Sequence, residues 1–436
     1  MSTGDTALWG DLPPFIRRTL GFRTRRRFRY DSLVRIRFGD AAFLLTHPDD
    51  IRHVLVANAP NYIKTPQLTS ARGRRRAGLG LLTGSGEEHL RQRRLLQPLF
   101  HRHAIERFDR AIRVRTESLM ARWGSGKEVD LAAEMAQLTK SVILAVLFGE
   151  ELDELNGLSE AISERRRYTE YVYHGRLPFR EGLPTRTVRQ HRHAIGTIDA
   201  AIYAAIETRR SGRMRSQDLI SDLVAVTYPD GGRMTDRQVR DEVLTFTSTG
   251  YETLGEVLAW TWYLLGRHAE VEAELVAELS RVLEGRIPSA EDAPRLSYAE
   301  SILAEAMRLY PPTWLFARIP QDDDVLPVGG PVPAAATLYV CQYIMHRHPR
   351  YFPNPERFDP GRFAAAPHPP RFVYLPFGDG PHRCIGEHLA RLEGLLIMAT
   401  VAQRYRIVLL ESGPIEPHAG VTLRPRKGLR VCVEPR

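Results

Sequence analysis

The arrangement in this chain best suited to chemistry is a lone cysteine in a glycine-rich turn, Phe377-Gly378-Asp379-Gly380-Pro381-His382-Arg383-Cys384-Ile385-Gly386, followed by an apolar run over residues 389–401. The run is long enough for a helix, which puts Cys384 at or just before a helix N-terminus. Unpaired backbone N–H groups and the positive end of the helix dipole favour a thiolate there. Gly378, Gly380 and Gly386 allow bends that side chains would forbid, so a flat bulky partner can lie against the sulfur. A thiolate held this way donates strongly to a metal, and a cysteine-ligated haem is one known use. The plainer alternative is a buried structural cysteine; the register of Phe, two Gly, a basic pair, Cys and Gly argues against it.

Three other sets carry chemistry by type and spacing. Thr249-Gly250-Tyr251-Glu252-Thr253 lies inside the longest helical pattern, which opens at a capping box, Thr235-Asp236-Arg237-Gln238, and reaches His268. Such a helix would be about 45 Å long. A glycine in its interior costs roughly 1 kcal/mol relative to alanine, and a local opening beside a ligand is one reason to keep it. An acid next to a hydroxyl, Glu252-Thr253, suits proton delivery to a buried oxygen species. The apolar neighbours Val243, Leu244, Phe246 and Leu254 speak against a merely polar surface patch. His89 and Arg93 are four apart on a helix expected to start at the capping box Ser85-Gly86-Glu87-Glu88 and to end at Pro98, and so share a face. Glu305 and Arg308, three apart, can pair on a helix capped by Ser297-Tyr298-Ala299-Glu300 and ended by Pro311-Pro312.

In these stretches the chain resembles the cytochrome P-450 family. The cysteine loop is similar to the family's Phe-x-x-Gly-x-(His or Arg)-x-Cys-x-Gly, and residues 249–253 to its (Ala or Gly)-Gly-x-(Asp or Glu)-Thr, with Thr249 where Ala or Gly is usual. The resemblance implies haem b with Cys384 as axial iron ligand, and His89, Arg93, Arg318 and His382 as propionate ligands. It implies a structural network of Glu305, Arg308 and Arg357, and proton delivery by Thr253 and Glu252. It also implies a mainly α fold with a smaller β-rich lobe (α+β), over 1–436 as one domain with an irregular segment at 1–30. The haem would lie between the long distal helix and the helix after the cysteine loop. The expected activity is monooxygenation of a hydrophobic small molecule with O2, electrons coming from a ferredoxin and ferredoxin reductase. Residues 258–268 and 307–318 are similar to bacterial members that oxidise cyclic terpenes in secondary metabolism, which favours a terpenoid over a polyketide or fatty acid. Pocket candidates are Phe246, Thr249, Gly250, Leu315 and Phe316. A peroxygenase, isomerase or radical-coupling enzyme of the same fold is the alternative.

The elements that must position these groups are legible in outline. Residues 33–38 and 42–45 read as strands around Gly39-Asp40, and His47-Pro48-Asp49-Asp50 opens a helix. Residues 58–82 lack periodicity and read as a long loop. Residues 104–149 hold two helical patterns, the second (131–148) more apolar. Residues 165–173 carry Tyr168, Tyr171 and Tyr173, a mobile lid or ordinary packing, with a break over 174–184 before a helix at 186–210. Residues 313–318 read as an extended pocket wall.

Composition excludes several classes. Of 436 residues, 43% are hydrophobic and 26% charged, as in a globular protein. Cys341, Cys384 and Cys432 form no disulfide framework or zinc pattern, which suits a reducing compartment. No apolar run reaches the ~18 residues of a membrane span, and residues 1–14 lack signal-peptide order, so a cytoplasmic, soluble monomer is expected. The net charge of +9 is mild, and arginine clusters at 23–29 and 72–76 lack interleaved aromatics, so nucleic acid is not an expected partner. Arg91, Arg94, Arg383 and Arg391 are the candidate docking face for an acidic electron donor.

Overall fold

The computed structural model describes residues 33–36, 41–124, 126–149, 157–173, 185–212, 217–364 and 369–436. The first arginine cluster, the segment 1–30, the Gly39-Asp40 turn and the break at 174–184 lie outside them. The long helices are α1 (Gly86–Leu96), α2 (Asp109–Met120), α3 (Leu131–Phe148), α4 (Leu158–Tyr173), α5 (Arg186–Arg210), α6 (Asp236–Thr249), α7 (Glu252–Leu265), α8 (Ala269–Leu283), α9 (Ser297–Leu309) and α10 (Glu387–Arg404).

From Val257 to Leu265 every residue of α7 is buried, so it has no solvent face and must be central. It packs on α3, α9 and α10. Helix α3 corrects one expectation. Its 18 residues, of mean hydropathy 1.5, are long and apolar enough to cross a membrane, yet 67% of them are buried in this protein. Asp130 starts it by accepting from the Ala132 and Ala133 N–H groups at 3.1 and 3.4 Å.

The capping box at Thr235 forms as expected, with Gln238 N–H donating to Thr235 Oγ1 at 3.3 Å and Thr235 N–H to Gln238 Oε1 at 2.9 Å. The other two do not. Ser85 makes no side-chain cap, and Ser297 is already helical. The start of α9 is capped instead by Glu278 of α8, whose carboxylate accepts from the Tyr298 and Ala299 N–H groups at 2.8 and 2.9 Å. A charged acceptor from a packed neighbour satisfies orphan donors better than a local hydroxyl.

The expected continuous helix to His268 is two helices, α6 and α7, parted at Gly250–Tyr251. A Cβ on Gly250 would lie 2.7 Å from Phe246 O and 3.0 Å from Ile143 Cγ1, so only glycine lets α3 come this close.

The strand-rich lobe joins chain ends far apart in sequence. Strands β1 (Leu33–Ile36), β2 (Ala42–Leu45), β3 (Tyr62–Ile63), β4 (Phe316–Pro320) and β5 (Thr337–Val340) form one sheet in the order β1-β2-β5-β4-β3. β2 and β5 run parallel, Ala42 opposite Thr337, and the other pairs antiparallel. The stretch read as a 58–82 loop thus holds β3, and also short helices Pro66–Thr69 and Ala71–Ala77. Ser70 caps the latter by accepting from Gly73 N–H at 3.2 Å. A hairpin of β6 (Pro417–Ala419) and β7 (Leu423–Pro425) packs on α7.

Candidate active site

Cys384 stands two residues before Gly386, the N-cap of α10. Its N–H donates to Phe377 O at 2.9 Å, closing the loop on itself. Gly378 and Gly380 take φ of +67° and +71°, and a Cβ on Gly380 would come 1.9 Å from Leu55 O. Gly380 is therefore required by the sheet lobe behind it rather than by a ligand in front. Asp379 braces the turn, accepting from Gly380 N–H at 2.7 Å and from Arg371 at 2.7 and 2.9 Å. Cys384 is exposed on its cavity side, while desolvation by the protein packed around it raises the thiol against the pull of the Gly386 N–H. A bound metal ion would reverse that, since coordination strips the proton outright.

Cys384 opens on a cavity of about 1540 Å³, which Phe246, Thr249, Gly250, Thr253, Leu315 and Phe316 also line. A single small ligand takes roughly 300–1,000 Å³, so there is room for a large flat group and a second molecule. Thr253 Oγ1 donates to Thr249 O at 2.9 Å, across the helix break, while Thr249 Oγ1 is turned to Thr245 O at 2.9 Å. Glu252, expected to act beside Thr253, lies off the cavity wall. Arg166 Nε of α4 is 3.0 Å from its Oε1, and Thr422 Oγ1 donates to the same oxygen at 2.9 Å.

Lys64, His89, Arg93, Arg318 and His382 all line the cavity. Among the described residues none has a carboxylate at ion-pair distance. Arg318 donates only to its neighbour's carbonyl, Ala317 O, at 2.9 Å, and burial lowers it to about 10. Arg93 donates to Arg383 O and is likewise lowered by burial. The His89 and His382 rings lie 4.2 Å apart, each with a buried Nδ1 that has no partner. Burial first, then Lys64, brings His89 down to about 4, and the same two causes lower His382. Lys64, missed in the sequence, donates to Leu81, Leu82 and Gly84 carbonyls at 2.9 Å each, and burial lowers it to about 7. Lys64, Arg93 and Arg318, each lowered by burial, stand around two imidazoles with unpartnered nitrogens and form a cradle for a dianion.

Away from the cavity, Glu305 and Arg308 pair fully buried at 2.6 and 2.8 Å. The third guanidinium expected there, Arg357, is not the partner. It is exposed and lends its backbone carbonyl to Arg308 at 3.1 Å, whereas Arg362 Nε sits 3.4 Å from Glu305 Oε1. The chain turns at Asp359, whose N–H binds Glu305 Oε1 at 3.0 Å, and this brings 362 rather than 357 inward. Tyr168 is a packing residue stacked on His191 at 3.8 Å, while Tyr173 reaches the cavity. Of the candidate docking arginines, Arg91 pairs with Asp230, Arg383 with Glu387 and Arg391 with Glu300, so much of their charge is already met. Glu393 of α10 and Glu256 of α7 are further buried acids that sequence reasoning passed over. Each is one polar letter in an apolar run, and only the four-residue step from Glu252 to Glu256 was a readable signal.

Residues 19–433 match the family model described as Cytochrome P450. The chain is 35% identical to a cyclooctat-9-en-7-ol 5-monooxygenase of Streptomyces melanosporofaciens, over 93% of this chain and 88% of that one. It is 32% identical to a cyclooctatin synthase of the same organism, over 93% and 89%. It is 31% identical to a pentalenene oxygenase of Streptomyces avermitilis, over 92% and 90%.

Proposed function

Because the chain belongs to the cytochrome P450 family and is a monooxygenase of it, we propose that it hydroxylates a cyclic terpenoid, using haem b and electrons from a ferredoxin and its reductase. The overall reaction is R–H + O2 + 2 e⁻ + 2 H⁺ → R–OH + H2O. The observation that carries this reading is the meeting, on one cavity, of Cys384, the Thr253 hydroxyl at the helix break and a group of basic side chains that have no ion pair among the described residues.

The residues fit a haem. Cys384 would hold the iron through its sulfur, and the Arg93 and Arg318 guanidiniums, beside the unpartnered Nδ1 atoms of His89 and His382, would meet the two propionates. A thiolate-ligated haem supplies cleavage of the O–O bond, which electron donation from sulfur favours. The chain's own part is positioning and protons. Arg318 and Arg93 would bring positive charge to the propionates, His89 and His382 would hydrogen-bond them, and Lys64 would add its charge while tying the 81–84 loop in place. Thr253 Oγ1, bonded to a carbonyl that the break frees, holds a proton where oxygen is reduced, and Glu252 resupplies it. Phe246, Leu315 and Phe316 exclude water and hold an apolar substrate. The relatives named for terpenoid conversions support that class.

A panel of cyclic terpenoids, polyketides and fatty acids, scored by the shift of the ferric iron from low to high spin, tests the substrate. Terpenoids are expected to shift it; a response to fatty acids alone would overturn that assignment. Turnover with the ferredoxin system but not with peroxide alone is the expected mode.

A further inference from the structure

We propose that Glu256, one turn beyond Glu252 on α7, is the proton store behind Thr253: its carboxyl passes a proton to Glu252 and is refilled from the side of α4 and the β6–β7 hairpin. This rests on the monooxygenase reading, which requires two protons per turnover, and concerns how this chain supplies them.

Glu252 and Glu256 lie on one helix face and are 9% and 7% exposed. They share one guanidinium, Arg166, whose Nε is 3.0 Å from Glu252 Oε1 and whose Nη2 is 3.9 Å from Glu256 Oε1. Two carboxyls that share a guanidinium at less than a tenth exposure resist ionising together, because the second charge is desolvated and is repelled by the first. Glu252 has the close arginine and the Thr422 hydroxyl at 2.9 Å; among the described residues Glu256 has only the long contact. The proton therefore resides on Glu256. Burial, then the Glu252 charge, raise it to about 8, so it is neutral at pH 7.

The charged groups acting on it are Glu252 on its own helix, Arg166 and Glu170 from α4, and Arg424 from β7. The other helices packed on α7 carry Lys140 (α3), bonded to Ser163 Oγ at 2.9 Å, the Glu305–Arg308 pair (α9) and Glu393 (α10). Glu170 leads outward. It lies 3.2 Å from Arg424 and 3.6 Å from His418, both partly exposed. In the transfer the Glu256 O–H breaks, a Glu252 O–H forms, and Glu256 regains its proton from solvent; no electrons move. Glu256 does not line the cavity and acts through Glu252, so it is a positioning residue.

Infrared titration of the full-length ferric protein reads this directly. A carboxylic-acid C=O band should fade as pH rises through about 8 and be missing from Glu256→Gln; persistence of that band in the variant overturns the proposal. In turnover, wild type should fall on the alkaline side, and E256Q should lose about tenfold at pH 7, less than the ~10²–10⁴ of a direct acid–base group, together with that alkaline fall. An unchanged pH profile overturns it. Glu256→Asp keeps a titrating carboxyl and should restore part of the rate, and it carries the test if E256Q does not fold. The raised pKa also means that this group's stabilisation, full below about 4.5, is lost as pH rises through about 8. E256Q should accordingly melt above wild type on the alkaline side, and equal melting there counts against the store. Absence of a thiolate-type carbon monoxide spectrum would sink the monooxygenase reading, whereas an intact spectrum with E256Q behaving as wild type sinks this inference alone.

Discussion

Two hydroxyls one turn apart have different jobs because of where their hydrogens point. Thr249 Oγ1 is bonded within α6, and Thr253 Oγ1 bridges the break at 2.9 Å. Thr253→Ala should keep its haem but divert electrons to peroxide, product per electron falling by about 10²-fold; unchanged coupling, measured as product against reductant consumed, contradicts the assignment. The buried acid Glu305 can be tested against its two arginine candidates. Glu305→Ala leaves Arg308 uncompensated at zero exposure, a loss of roughly 3–5 kcal/mol, and should not yield haem-loaded folded protein. Arg357→Ala should cost under about 0.5 kcal/mol, because among the described residues only its carbonyl is used. Denaturant unfolding of the two variants checks the pair; a large loss from Arg357→Ala would restore it to the network. The sequence motif pointed to 357 because motif position says nothing about which way a turn rotates the next guanidinium.

At the scale of elements, the break between α6 and α7 does the positioning. Gly250→Ala places a methyl 2.7 Å from Phe246 O and should destabilise by about 1–3 kcal/mol, the usual cost of overpacking, lowering the melting temperature; an unshifted melt would mean that α3 can retreat. The position of this break was legible, because a glycine inside an apolar helix weakens it and so marks where close packing or an opening demands one. The start of α9 was not, since its cap comes from Glu278, 20 residues upstream on another helix. Local pattern finds caps built from neighbouring residues and misses those built by packing. For the same reason the short helices after Tyr62 were read as loop: a basic, glycine-containing stretch has no apolar period, and its order comes from the wall it completes.

The whole molecule gathers residues from positions 64 to 421 around one cavity, and the cradle of basic side chains is its clearest electrostatic feature. Lys64, lowered by burial from 10.5 to about 7, binds fewer protons folded than unfolded between those values. The haem-free chain should therefore gain stability as pH rises from about 7 towards 10.5, and Lys64→Met should lack that increment. Haem loading should abolish the difference, because propionates restore the ammonium. Parallel melting curves for the two proteins across that range would contradict the cradle. The helical class, the cysteine loop and the cavity-lining residues could be read from spacing and resemblance; Lys64, Arg166 and Arg362 could not, because each gains its meaning from a partner far away in sequence. The sulfur–iron bond proposed for Cys384 underlies all of this. The reduced holoprotein exposed to carbon monoxide should give the absorption of a thiolate-ligated haem and lose it in Cys384→Ala; a histidine-type spectrum, or a thiolate-type spectrum that survives in the variant, would contradict it.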